Sequence, residues 1–180
     1  MAEAAKKKTW DEEITELFKD YKPDEVQYLR EVTPRLFRFW DINHKFLIVM
    51  NKKLVASPND SGSSEQLIGV LPNHALDVKQ QPIFMGLPNN THTMSCVKSE
   101  EGQVQLQLTD GNIVRLYEQN EKFLDFSFYS RTDGGSETCS FESAQFPGWF
   151  ISTSSEPDKP IGLSQKGGPG NILFHFERKS

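Results

Sequence analysis

Cysteine is scarce here: Cys96 and Cys139 are the only two in 180 residues. Two distant thiols make neither a zinc knuckle nor a disulfide scaffold, so two reduced side chains are expected. The four histidines, His44, His74, His92 and His175, show no paired spacing, and His-Glu-x-x-His is missing. So is the phosphate-cradling Gly-x-x-x-x-Gly-Lys-Ser/Thr. These absences point away from metal, nucleotide and cofactor chemistry, and no cofactor is expected. A Cys–His pair that meets only in space is the one nucleophile left to sequence, and nothing local activates either thiol. The chain is read as a non-enzyme.

Long apolar runs are also missing. None approaches the ~18–20 residues needed to cross a bilayer. The first residues, MAEAAKKKTWDEEITELFKD, are basic but lead into Asp11, Glu12 and Glu13 rather than an apolar stretch. A standard secretory signal is therefore not expected; synthesis in the cytoplasm is, without membrane insertion. Three lysines beside an acidic run are a weak lipid signal, and a solvated end is preferred. Asn89-Asn90-Thr91 and Asn59-Asp60-Ser61 match the glycosylation sequon but are taken as polar loops. Net charge is −5, and residues 11–31 alone carry −5, so no concentrated basic face offers itself to nucleic acid.

What the sequence does have is phenylalanine, 13 in all. Burying most of them at ~2 kcal/mol each would offset much of the ordering entropy. Residues 9–31 show helical texture. Thr9 with Glu12 makes a capping box, and Trp10, Ile14, Leu17, Phe18 and Tyr21 share one face. Pro23 permits a second short helical piece through Val26 and Leu29.

From Arg35 onward the texture is β. Residues 104–109 (VQLQLT) and 123–130 (FLDFSFYS) alternate apolar and polar, as half-buried strands do. Further strands are expected at 35–41, 45–50, 53–57, 65–71, 82–87, 92–98, 137–143, 148–153, 160–165 and 171–177. Only GNIVRLYEQNEK, residues 111–122, could hold a helical turn between them. About twelve short strands separated by Gly/Pro/Asn/Asp clusters imply a closed barrel or sandwich. Phe37, Phe84 and Phe126 open three candidate blocks of four strands, which describes a β-trefoil. The expected organisation is an all-β trefoil over 35–180, preceded by an acidic helical or disordered extension over 1–34.

One stretch decides between active site and frame. SFESAQFPGWFISTSSEPDKPIG, residues 140–162, turns at Pro147-Gly148 between Phe141 and Phe146 on one side and Trp149, Phe150 and Ile151 on the other. Between Phe141 and Ile151 the only ionisable side chain is Glu142, so this is packing chemistry.

The pattern Phe141-x-Ser143-Ala144-x-x-Pro147-x-x-Phe150-Ile151-Ser152-Thr153, then Ile161 after seven residues, resembles the signature of the interleukin-1 cytokine family at every defined position. WDINHKFLIVMNKKLVA, PIFMGL, MSCVKSEEG and LQLTDGNIVRLY resemble the same family, so the likeness spans residues 36–177. The branch is that of the interleukin-36 cytokines and the receptor antagonists. The short LPNHALDVKQQPIFMGL is antagonist-like, whereas LSQKGGPGNILFHF has an agonist-like short loop.

The resemblance implies a β-trefoil without catalytic residues, released outside the cell without a standard signal peptide. It implies a monomer that binds an interleukin-1-family receptor and, as an agonist, recruits an accessory chain to drive inflammatory and innate immune signalling. An interleukin-36-like agonist is taken first; a receptor antagonist of the same branch, or an intracellular protein-binding trefoil, is the alternative. By analogy, receptor contacts are expected at His74, Asp77, Lys79 and Gln80 before Pro82, and at Lys166, Gly168 and Asn171 near the last hairpin. Processing is expected near Arg30, nine residues before Phe39 of the element Phe39-Trp40-Asp41, and the acidic segment would mask part of the receptor-facing surface. Other trefoils fit less well. Growth factors need a basic face, lectins a repeated Gln-x-Trp, and protease inhibitors a constrained reactive loop.

Overall fold

Thr9 starts the first element as its capping box predicts. Its hydroxyl accepts from the Glu12 N–H, while the Glu12 carboxylate accepts from the Thr9 N–H. Asp11, Glu12 and Glu13 then sit in the first turn of α1 (Trp10–Asp20), where the helix dipole favours acids. Tyr21 is already extended, two residues before Pro23. The structure is a computed structural model that describes residues 8–22, 32–58 and 66–179. The expected second helical piece, the Asn59 sequon and Arg30 lie outside the described residues.

Strands follow in the expected places: β1 (Arg35–Asp41), β2 (Phe46–Met50), β3 (Lys53–Ser57), β4 (Ile68–Pro72), β5 (Pro82–Gly86), β6 (His92–Lys98) and β7 (Val104–Asp110). A short helix, α2 (Ile113–Gln119), occupies the segment where a helical turn was allowed, capped by Asn112. Then come β8 (Ser127–Thr132), β9 (Cys139–Ser143), β10 (Trp149–Ser152), the two-residue β11 (Lys159–Pro160), β12 (Gly162–Gln165) and β13 (Phe174–Arg178).

Six of these strands close on themselves. β1 pairs with β13, β13 with β9, β9 with β8, β8 with β5, β5 with β4, and β4 with β1, all antiparallel. Closure removes the exposed edges that an open sheet would present. Three hairpins, β2–β3, β6–β7 and β10–β12, cover one end, with β11 tying the third to β3. This is the β-trefoil. Period-two alternation sends Phe37, Phe39, Phe128, Phe141, Phe174 and Phe176 inward, each at most 2 % exposed.

Two expectations need correction. Residues 124–126 form a 3-10 turn, so Leu124 and Phe126 do not belong to the strand that follows. The third block opens at β9, because β8 closes the second. Phe84 also points away from the barrel interior, packing with Leu71, Ile113 and Tyr117 under α2. The Phe spacing found a threefold rhythm but misplaced one of its beats.

α1 covers the barrel end opposite the hairpins. Trp10 is fully buried, its ring 5.0 Å from Phe37, 5.1 Å from Phe176, 5.4 Å from Phe141 and 5.7 Å from Phe39. Ile14, Leu17 and Phe18 join it, so one apolar core contains both the helix and the barrel.

Candidate functional site

The Phe141–Ile161 signature turns out to be architecture. The Ser143 hydroxyl accepts from the Phe146 N–H, and the Glu142 carboxylate accepts from the Gly148 N–H at 2.7 Å while pairing with Arg131 at 3.0 Å. Gly148 has φ +90°, which a side chain would strain. Pro147-Gly148 therefore turns the chain from β9 into β10. Ala144 and Phe150 are buried, and the Ile161 N–H donates to the Leu54 carbonyl.

Thr153 leads to a buried knot. Its hydroxyl donates to Asp41 Oδ2 at 2.6 Å, and Lys45 Nζ meets the same oxygen at 2.8 Å. Asp41 Oδ1 accepts from the Asn43 and Lys45 N–H groups. Asp41 is fully buried and Lys45 is 4 % exposed. Burial alone would raise the Asp41 pKa; the hydrogen bonds from Lys45, Thr153 and Asn43 outweigh it and hold the carboxyl below its usual value. The Asp of the Phe39-Trp40-Asp41 element thus ties the β1–β2 turn to the end of β10.

The expected receptor residues lie in two separate loops. The first, residues 73–81, links β4 to β5 at the α1 end of the barrel. Asp77 there accepts from the Lys79 N–H and caps a 3-10 turn, with Lys79 and Gln80 exposed. Val78, between them, is 50 % exposed. His74 is different. Its ring packs edge-on to Phe18 at 5.1 Å and Nε2 bonds the Tyr21 carbonyl. It is held by the N-terminal segment, which no local signal in the loop foretold.

The second loop leads from β12 into β13. Lys166 lies 3.7 Å from Asp133, and the exposed Gly168 closes a turn on the Gln165 carbonyl. Asn171 exchanges backbone hydrogen bonds with Thr153 and is half-buried, which makes it a support of the loop. Between the three hairpins a cleft of about 650 Å³ opens, with Leu54, Leu106, Leu108, Ile161 and Leu163 inside and Lys52, Lys53, Gln105 and Gln107 among its polar groups.

Neither cysteine is in a disulfide and both are buried; burial pushes the Cys96 thiol up to about 11, which keeps it protonated and inert near neutral pH. Among the described residues no group of three or more His, Cys, Asp or Glu could hold a metal ion, and no helix is long and apolar enough to cross a membrane.

Comparison with known proteins agrees with this architecture. The family model described as Interleukin-1 / 18 matches residues 58–177. Mouse interleukin-1 family member 10 is 34 % identical over 145 residues, covering 79 % of this chain and 93 % of that protein. The pig interleukin-1 receptor antagonist protein is 39 % identical over 148 residues, covering 79 % and 78 %. The solution structure of the pro-inflammatory cytokine interleukin-36alpha superposes with a TM-score of 0.68 at 30 % identity, covering 87 % of this chain and all of that one. Signature, closed barrel and relatives agree: the chain belongs to the interleukin-1 family of cytokines.

Proposed function

We propose that this protein is an extracellular ligand of an interleukin-1-family receptor, held back by its own N-terminal segment. The observation that carries this reading is the covering of His74. Of the loop residues expected to meet a receptor, His74 is occupied by Phe18 and Tyr21, which lie N-terminal to the processing point expected near Arg30. A cut there separates them covalently from the barrel. Lys79 and Gln80 already face solvent beside the exposed Val78, giving an apolar spot flanked by polar groups, as small binding surfaces often have. Lys166 and Gly168 form the second contact set, with Asn171 as their support.

Receptor binding is then a matter of surface shape and charge, and signalling depends on whether the first complex recruits an accessory chain. A removable cover matters most to a ligand that signals, so the agonist reading comes first. The antagonist reading is favoured by the printed names of relatives, among them the pig interleukin-1 receptor antagonist protein and the mouse interleukin-36 receptor antagonist protein, the latter 37 % identical over 131 residues.

The test applies the full chain and a chain starting at Arg30 to cells bearing each receptor pair, alone and with a known agonist. Activation that rises on trimming supports the agonist. Blockade of the added agonist supports the antagonist. Equal potency of the two chains rejects the masking role, and silence in every combination rejects the receptor ligand.

A further inference from the structure

The contact between α1 and the barrel is unusual for a segment expected to be cut away. An exposed extension would leave a barrel whose own side chains close its end. Here a tryptophan from outside the barrel strands supplies part of that closure: Trp10 is fully buried among Phe37, Phe39, Phe141 and Phe176. Ile14 and Leu17 are buried with it, and Tyr21 continues the face.

The polar contacts form a matching frame. The Asp11 N–H donates to the Thr132 hydroxyl, and the Thr132 N–H donates to Asp11 Oδ1. This pair locks the helix start to the end of β8. At the far end Arg35 bonds Asp20 at 2.9 Å, and the Tyr21 hydroxyl donates to the Thr33 carbonyl. Arg178 lies 3.6 Å from Glu13 in the middle. An acidic helix is thus set between Arg35 and Arg178, with an aromatic anchor buried among four phenylalanine rings. These are the features of a helix-in-groove complex.

We infer that the open end of the barrel is a helix-binding site that keeps residues 8–22 as a separable ligand after the chain is cut. The proposal rests on the reading of processing near Arg30 and goes past it. Hydrolysis of one peptide bond within residues 23–31 leaves every contact named above intact. The immediate product is a two-piece complex. Departure of the helix, a second and independent event, uncovers His74 and the aromatic floor. The same site accepts a second copy of residues 8–22 in trans. Its chemistry selects an amphipathic helix with tryptophan at its first position and an acid at its last turn, opposite Arg35.

The test inserts a site for a specific endoprotease between Lys22 and Val32 of the full chain and cuts the folded protein. Size-exclusion chromatography at micromolar concentration, with mass spectrometry of the peak, reads retention of the fragment. Tryptophan emission sums Trp10, Trp40 and Trp149; Trp10 is the one that release takes from full burial into water, so the sum shifts red. The expected result is co-elution with an unshifted spectrum, and displacement of the fragment by an excess of fluorescent peptide 8–22. Trp10→Ala abolishes retention. Asp11→Ala removes one exposed hydrogen bond and leaves the core untouched, so it weakens retention about threefold to tenfold without altering the fold. Free separation of the wild-type fragments at micromolar concentration overturns the proposal, as does retention unchanged in both variants. This readout needs no receptor, so it fails or succeeds apart from the masking role tested on cells.

Discussion

Asp41 shows how one side chain can matter for the frame and leave no surface trace. It has no exposed surface, pairs with Lys45, and accepts from Thr153 across more than a hundred residues of chain. Removing one partner of a buried pair leaves the other charge uncompensated, which costs about 3–5 kcal/mol. Asp41→Asn keeps an oxygen for the Asn43 and Lys45 N–H groups but strands the Lys45 ammonium. A loss of that size is expected in urea unfolding, seen as a lower midpoint with an unchanged slope. Because the folded pKa of Asp41 is depressed, its contribution is present above the unfolded value near 3.8 and fades as pH falls through the folded value.

Glu13 has the opposite sign. Burial raises its pKa, while Arg178, Lys8 and Arg35 oppose that rise and Glu16 adds to it. A group whose folded pKa is raised favours the docked helix below its unfolded pKa and loses that contribution as pH climbs through the folded value. Glu13→Gln should therefore raise the melting temperature at pH 7 and make little difference below pH 4. Thermal scans at the two pH values decide the point, and an equal shift at both would show that the carboxylate is not the cause.

At the scale of elements, the β2–β3 hairpin turns through Asn51 and Lys52, both left-handed, with φ 51° and 65°. Such a two-residue turn follows the strand twist and favours Asn followed by Gly. Lys52→Gly should stabilise the protein by up to about 1 kcal/mol, measured by chemical denaturation, since Lys52 is exposed and its conformation suits glycine. Elements also show where pattern reading succeeds. The strands at residues 35–41, 53–57 and 92–98 follow from alternation and flanking turns, and α1 starts where its capping box says. Residues 124–126 were misread because Leu124, Phe126 and Phe128 alternate although only Phe128 is in a strand. Periodicity cannot see the left-handed Phe123 that begins the 3-10 turn, with φ 40°.

For the whole molecule, α1 completes a core that the barrel alone leaves open at one end. A chain starting at Arg30 loses Trp10, Ile14 and Leu17 from that core. Loss of large buried side chains costs several kcal/mol, and each kcal/mol moves the melting point of a chain this size by about 2–4 °C. The trimmed chain should melt roughly 5–10 °C lower than the full chain, read by calorimetry, and bind more of an apolar dye. If it melts no lower, the barrel repacks and α1 is not needed for closure.

The candidate site was legible only in part. Asp77, Lys79 and Gln80 could be picked out as loop residues because turn composition predicts exposure. His74 and Asn171 sit in the same kinds of loop, yet they are taken by Tyr21 and Thr153, partners far away in the chain.

From the sequence by itself came the β texture, the threefold rhythm, the capped acidic helix and the family likeness, because each is written in local spacing. Where that helix goes, which Phe residues face inward, and which loop side chains remain free were decided by the tertiary structure alone. Those outcomes depend on residues far apart in sequence competing to cover one open barrel end, and no local pattern records the winner.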